Sequence, residues 1–250
     1  MSGLHLAAYF GLDEALQAIM DEYNINGKDS YGQTPLSVAV KSGHEAVVKL
    51  LLQDERVDPN LQDRSGNTPL SWAVMAKCKP VVELLLQDER VDPNLQDGSG
   101  GAPLLQAIRI ENKPIIELLL QDERTNPNLE STGGQTALLW AIGNLRDIVV
   151  QLLIKEERVD PNLRDKYGQT PLLRAISHSR NIVVQLLLKE GRVDPNLRDK
   201  HGQIPLLWAI QCRDDVTIGL LLEDERVDPN LQDGYGQTPL LWAINFSLFH

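Results

Sequence analysis

Apolar residues along this chain fall into short runs that return in step. In the stretch 170–189, TPLLRAISHSRNIVVQLLLK, Leu172, Leu173, Ala175 and Ile176 make one helical run and Ile182 to Leu188 a second, with polar residues 177–180 between them. Thr170 is a capping residue, and Pro171 suits the first helical position, where its missing N–H costs nothing. The pattern therefore predicts a helix over about 171–177 and another over 182–188. In two other copies Pro80 and Pro114 mark the start of the second helix. The polar remainder of each copy carries Asp-Pro-Asn and Asp-x-x-Gly, which is turn and hairpin chemistry.

The block repeats every 34 residues. One proline recurs at Pro59, Pro93, Pro127, Pro161, Pro195 and Pro229, a second at Pro35, Pro69, Pro103, Pro171, Pro205 and Pro239, and Ala137 interrupts the second series. A period of this size predicts one solenoid array over 1–250: a partial unit 1–24, full repeats 25–58, 59–92, 93–126, 127–160, 161–194 and 195–228, and a partial unit 229–250. Helices of about seven to nine residues are marginal alone, so stacking must stabilise them. Ala39, Ala73, Ala107, Ala141, Ala175, Ala209 and Ala243 are small residues at one register that let neighbouring helices approach closely. The array reads as entering inside a first helix and stopping after one, with Phe246, Leu248 and Phe249 uncovered. That predicts a piece of a longer chain, or end-to-end contact with another subunit.

The succession Asp-x-x-Gly-x-Thr-Pro-Leu, then Ala, then Val-Val-x-Leu-Leu-Leu, then Asp-x-Asn resembles the ankyrin repeat. The resemblance implies an all-α solenoid of helix-turn-helix units with β-hairpin loops, a concave face lined by the first helix of each repeat, and a role in binding proteins. Two departures stand out: the repeat is one residue longer than the usual 33, and Ser37, Ser71 or Leu replaces the family's His after Pro-Leu. The opening LHLAAYFGL, with the high similarity among repeats, is similar to arrays attached to fungal nucleotide-sensing receptors.

Composition narrows the setting. Thirty-five acidic residues against 24 basic give a net charge of -11, which disfavours nonspecific attraction to nucleic acid or to an anionic membrane. No apolar run approaches the ~20 residues that span a bilayer. Residues 1–20 lack the basic lead-in of a signal peptide. Cys78 and Cys212 lie in non-adjacent repeats, so no disulfide framework is expected, and the setting reads as intracellular, cytoplasmic or nuclear.

At about 100° per residue, Leu36, Ala39 and Val40 share the core face of their helix and residues 38, 41 and 42 face away. The register of residue 38 is occupied by Val38, Trp72, Gln106, Trp140, Arg174, Trp208 and Trp242, and includes every tryptophan of the chain. A close-packed core would not interchange these types, so the register predicts an exposed aromatic stripe, flanked at the register of residue 41 by Arg109 and Gln211. Helices ~8–10 Å apart would place Trp72 and Trp242 on the order of 50 Å apart, a length suited to an extended partner segment. The alternative packing of these indoles is half-burial against neighbouring helices.

Charge adds a second candidate. Residues 161–200 hold eight basic against four acidic residues. Arg164, Lys166, Arg198 and Lys200 flank turns, and Arg174 and His178 sit four apart on the outward helix face. With Tyr167, His201 and Trp208 they form a candidate receiver for a carboxylate or phosphate beside an aromatic group.

Catalytic signatures are sparse. Val48 stands where a zinc motif starting at His44-Glu45 needs its second His. Residues 98–101 are a turn rather than a phosphate cradle, Asn245-Phe246-Ser247 is a sequon without secretory context, and no metal or cofactor is implied. Asp29, Asp63, Asp97, Asp165, Asp199 and Asp233 recur once per repeat as turn acceptors, and the Asp-Glu-Arg runs read as solvated surface ladders. The sequence therefore predicts a noncatalytic module that binds a partner segment, with an acidic or aromatic element, along a Trp-lined concave groove. The alternative is a small-molecule binder, or an enzyme using Tyr167, Arg174, His178 and His201, in repeats four to six.

Overall fold

The structure, a computed structural model, describes residues 2–248 and the side chains of residues 2–244. Phe246, Leu248, Phe249 and the sequon starting at Asn245 lie outside the described side chains. The chain forms two compact units, Met1–Thr132 and Gly133–His250.

The first unit contains α1 (Gly3–Phe10), α2 (Asp13–Ile19), α3 (Pro35–Ser42), α4 (Glu45–Leu52), α5 (Pro69–Met75), α6 (Lys79–Gln87), α7 (Pro103–Arg109) and α8 (Lys113–Gln121). The second contains α9 (Ala137–Gly143), α10 (Asp147–Lys155), α11 (Pro171–Ser177), α12 (Asn181–Lys189), α13 (Pro205–Cys212), α14 (Asp215–Leu222) and α15 (Pro239–Leu248). First helices stack on first helices, α1 on α3, α3 on α5 and α5 on α7, and second on second, α2 on α4, α4 on α6 and α6 on α8; the second unit repeats the scheme. The first 24 residues hold a whole helix pair, opened by a capping box of Ser2 and His5, where the sequence suggested entry inside a helix.

Helix starts follow the predicted chemistry. Thr34, Thr68, Thr136 and Thr170 each accept a hydrogen bond from the backbone N–H three residues on, and proline occupies the first turn of α3, α5, α7, α11 and α13. Ala39, Ala73, Ala107, Ala141, Ala175 and Ala209 are fully buried, as close stacking of short helices requires. Among the described residues no strand forms. Each hairpin-like loop is a tight turn instead: the Asp29 N–H donates to the Gln33 carbonyl at 2.9 Å and the Gly32 N–H to the Asp29 carbonyl at 3.0 Å. Glycine is needed here on two counts, since Gly66 has φ 80° and a Cβ on it would sit 2.6 Å from the Gly98 nitrogen.

The Asp-Glu-Arg runs are not solvated ladders. Arg90 pairs with Asp88 and reaches back to the Leu52 carbonyl at 2.7 Å and the Val57 carbonyl at 3.1 Å. Arg124, Arg192 and Arg226 reach the Leu86, Ile154 and Leu188 carbonyls in the same way. A guanidinium thus satisfies the last carbonyls of the preceding repeat's second helix, where its charge also suits the dipole. Asn60 adds a two-way clamp, donating to the Arg90 carbonyl and accepting from the Asp92 N–H.

Candidate functional site

The register of residue 38 is tied to the turn nine residues before it. In each described turn that starts with aspartate, one carboxylate oxygen accepts two backbone N–H groups, from Ser65 and Asn67 for Asp63, or from Tyr167 and Gln169 for Asp165. This fixes the carboxylate and aims its other oxygen at the helix register. Trp72 Nε1 donates to Asp63 Oδ2 at 3.0 Å, Gln106 Nε2 to Asp97 Oδ2 at 2.8 Å, Arg174 Nη1 to Asp165 Oδ2 at 3.0 Å, Trp208 Nε1 to Asp199 Oδ2 at 3.3 Å and Trp242 Nε1 to Asp233 Oδ2 at 2.9 Å. Trp, Gln and Arg interchange here because each carries an N–H donor of suitable reach.

This corrects the expectation of an open aromatic stripe. Trp72, Trp140, Trp208 and Trp242 are half-buried, and Gln106 and Val38 are buried. The pairing was visible in the sequence as a recurrent aspartate nine residues before a side-chain N–H donor. Two copies break it: Val38 provides no donor to Asp29, and Ser131 stands in the aspartate position before Trp140. The Trp140 indole N–H accordingly makes no hydrogen bond among the described residues.

The anion cluster is also reshaped. Arg174 is spent on Asp165, with 15% and 1% of the two side chains exposed, so it is withdrawn from the expected receiver. His178 lies at the end of α11 with Nδ1 2.9 Å from the Arg174 carbonyl. His201 sits exposed on its turn, its N–H held by Asp199. Gln211 donates to Gln203 at 2.9 Å, and Arg109 lies 3.4 Å from Ser99 Oγ. What stays open is the turn surface. Tyr167 is 51% exposed, with the Lys166 and Lys200 Nζ atoms 5.0 and 5.1 Å from its ring centroid. Arg164 and Arg198 are exposed and make no ion pair among the described residues. The two tips adjoin closely, since a Cβ on Gly168 would come 2.6 Å from the Lys200 nitrogen. Two ammonium groups therefore share the Tyr167 ring, with Arg164 and Arg198 two residues before them along the chain.

Burial pushes the Asp97 carboxyl up, but hydrogen bonds from Ser99, Gly101 and Gln106 outweigh it and hold the group below the usual carboxylate range. Asp233 shows the same balance, with Trp242 among its donors. Among the described residues no group of three or more His, Cys, Asp or Glu is placed to hold a metal ion.

Among solved structures, the ankyrin repeat domain of Bcl-3, a member of the IkappaB protein family, matches 89% of this chain and 98% of its own at 24% identity, with a TM-score of 0.80. The ankyrin repeat protein EF0377 matches 76% and 98% at 25% identity, with a TM-score of 0.66. Rabankyrin-5 of Homo sapiens is 37% identical over 60 residues, 24% of this chain, and that of Mus musculus 36% over 56 residues, 22% of this chain. The aligned part spans only about 5% of either relative's length. The family model described as ankyrin repeats (3 copies) matches residues 4–97, 104–199 and 179–248, and the chain belongs to the ankyrin repeat family.

Proposed function

We propose that this chain is a noncatalytic recognition module that takes up an acidic, aromatic-bearing partner segment through residues of its second unit. Ankyrin repeat domains are generally protein–protein interaction modules. The observation that carries the finer reading is Tyr167 with two ammonium groups about 5 Å from its ring centroid, on a tip where Arg164 and Arg198 are also exposed. Cations beside an aromatic face suit a carboxylate neighbouring an aromatic or apolar side chain. Trp140, half-buried with a free indole N–H, adds a donor and an apolar surface of the kind that dominates binding energetics. A setting in the cytoplasm or nucleus fits the same reading.

A small-ligand or catalytic site in repeats four to six is less well supported, because Arg174 is already neutralised by Asp165 and His178 faces a backbone carbonyl. The test uses a peptide library with fixed Glu and a varied neighbour, titrated into the full chain. Selection of aromatic neighbours is expected, with at least about thirtyfold weaker binding for Trp140→Ala, a loss of hot-spot size, and for Lys166→Glu with Lys200→Glu. Retained affinity in those variants would refute the reading.

A further inference from the structure

The first full repeat builds the turn-to-helix clamp with one half missing. Asp29 Oδ1 accepts the Tyr31 and Gln33 N–H groups at 2.8 and 2.9 Å, as in every described turn that starts with aspartate, so Oδ2 is aimed as in its counterparts. At the position that elsewhere supplies the donor stands Val38, and Asp29 Oδ2 has no partner among the described residues. A cleft of about 880 Å³ opens beside it, lined by Tyr9, Tyr31, Val38, Lys41 and Trp72 as well as Asp29. Polar groups, among them His44, Asp63 and Arg64, complete the lining, and Tyr9 and Tyr31 are 53% and 69% exposed.

We infer that this cleft takes an arginine side chain from a partner polypeptide, its guanidinium donating to Asp29 Oδ2 in place of the missing intramolecular donor. Within the chain, Arg174 on Asp165 shows that a guanidinium fits this acceptor, at 3.0 Å. The exposed tyrosines offer faces on which a planar guanidinium stacks. Charge selects Arg over Trp, the commoner occupant of the register. A carboxylate oxygen makes a stronger bond to a charged donor than to a neutral indole, and residues 1–132 carry 20 acidic against 11 basic residues. The cations bordering the cleft do not occupy the acceptor: Lys41 Nζ lies over the Trp72 ring at 4.3 Å, while Arg64 and His44 make no bond to Asp29. The inference rests on the recognition role proposed above but uses a different unit and the opposite charge.

The test titrates the full chain with short capped peptides that differ at one position, Arg, citrulline, Lys or Trp, and follows the Val38 methyl resonances. Arg is expected to bind about tenfold more tightly than citrulline, the gain of a charge-assisted bond. Asp29→Asn should remove that preference, and Val38→Trp should abolish binding by filling the cleft from within. Trp140→Ala should leave it unchanged, which separates failure here from failure of the acidic-segment reading. Equal affinity for Arg and citrulline, preference for Trp or Lys, or no Val38 shift with any peptide would overturn the proposal.

Discussion

The two units share one repeat and differ in what its side chains are left free to do. In the first unit Lys28, Gln62 and Gln96 donate to the Gln62, Gln96 and Glu130 carbonyls at 2.7, 2.8 and 2.7 Å, tying each turn to the next. In the second unit the same register holds Arg164 and Arg198, which are exposed and make no such bond to a carbonyl among the described residues, while the Arg198 charge acts on Asp233. Residues 1–132 have 20 acidic and 11 basic residues, a net charge of -9, and residues 133–250 have 15 and 13, a net charge of -2. The exceptions to the clamp are complementary in kind, a free acceptor at Asp29 and a free donor at Trp140. One backbone unit thus becomes cohesive or available according to whether a single side chain finds its partner inside the repeat.

The largest contrast is expected from the clamp itself. Arg174→Leu leaves the Asp165 carboxylate almost fully buried and unpaired, which should cost about 3–5 kcal/mol. Gln106→Leu in the first unit removes only a neutral donor, and Gln106 Oε1 is already buried without a partner, so about 1–3 kcal/mol is expected. Chemical denaturation of the two variants measures the difference. Equal losses would mean that the charge on Arg174 contributes nothing and that the clamp is a matter of shape.

Acid should weaken both units. The Arg90 hydrogen bond holds Asp88 below the usual carboxylate range, Arg56 does so for Asp54 and Arg226 for Asp224. Because these folded-state values lie below the unfolded ones, their stabilisation is complete above the ordinary carboxylate value and is lost as pH falls through the folded values. The thermal midpoint should therefore be flat from pH 7 to about 5 and fall below about 4. Arg90→Gln should remove part of that dependence, and an unchanged profile would show that the Arg90 contacts to the Leu52 and Val57 carbonyls, not its pairing with Asp88, carry the contribution.

Much of this was legible in the sequence. Thr-Pro at 34–35, 68–69 and 170–171, the alanine register and the 34-residue step depend on contacts inside or between similar units, so periodicity reports them directly. The state of the tryptophans was not, because a helical wheel places Trp72 outward without knowing that a turn nine residues earlier folds over it. Arg90 was missed for a similar reason: its carbonyl partner Leu52 is 38 residues away, and the local run Asp-Glu-Arg read only as a solvated surface ladder. Asp29 is legible in hindsight, since Val38 is the one residue of its register without a polar group.

The smallest predicted effects compare the two uncapped first helices. In the first unit α7 starts after Ala102, and in the second α13 starts after Ile204; neither side chain caps its helix. Ala102→Thr should stabilise by about 1 kcal/mol, the usual value of an N-cap. The same site holds buried threonine in four other repeats, at 1–2% exposure, so space for the side chain exists. Ile204→Thr gains the same hydrogen bond but withdraws an isoleucine that is 1% exposed, and burial of such a side chain contributes about 1.5–3 kcal/mol. The first substitution should raise the thermal midpoint and the second lower it. Opposite signs from the same residue at the same register would show that α13 exchanges its cap for apolar packing, whereas a gain at both would mean that Ile204 contributes little to the core it sits in.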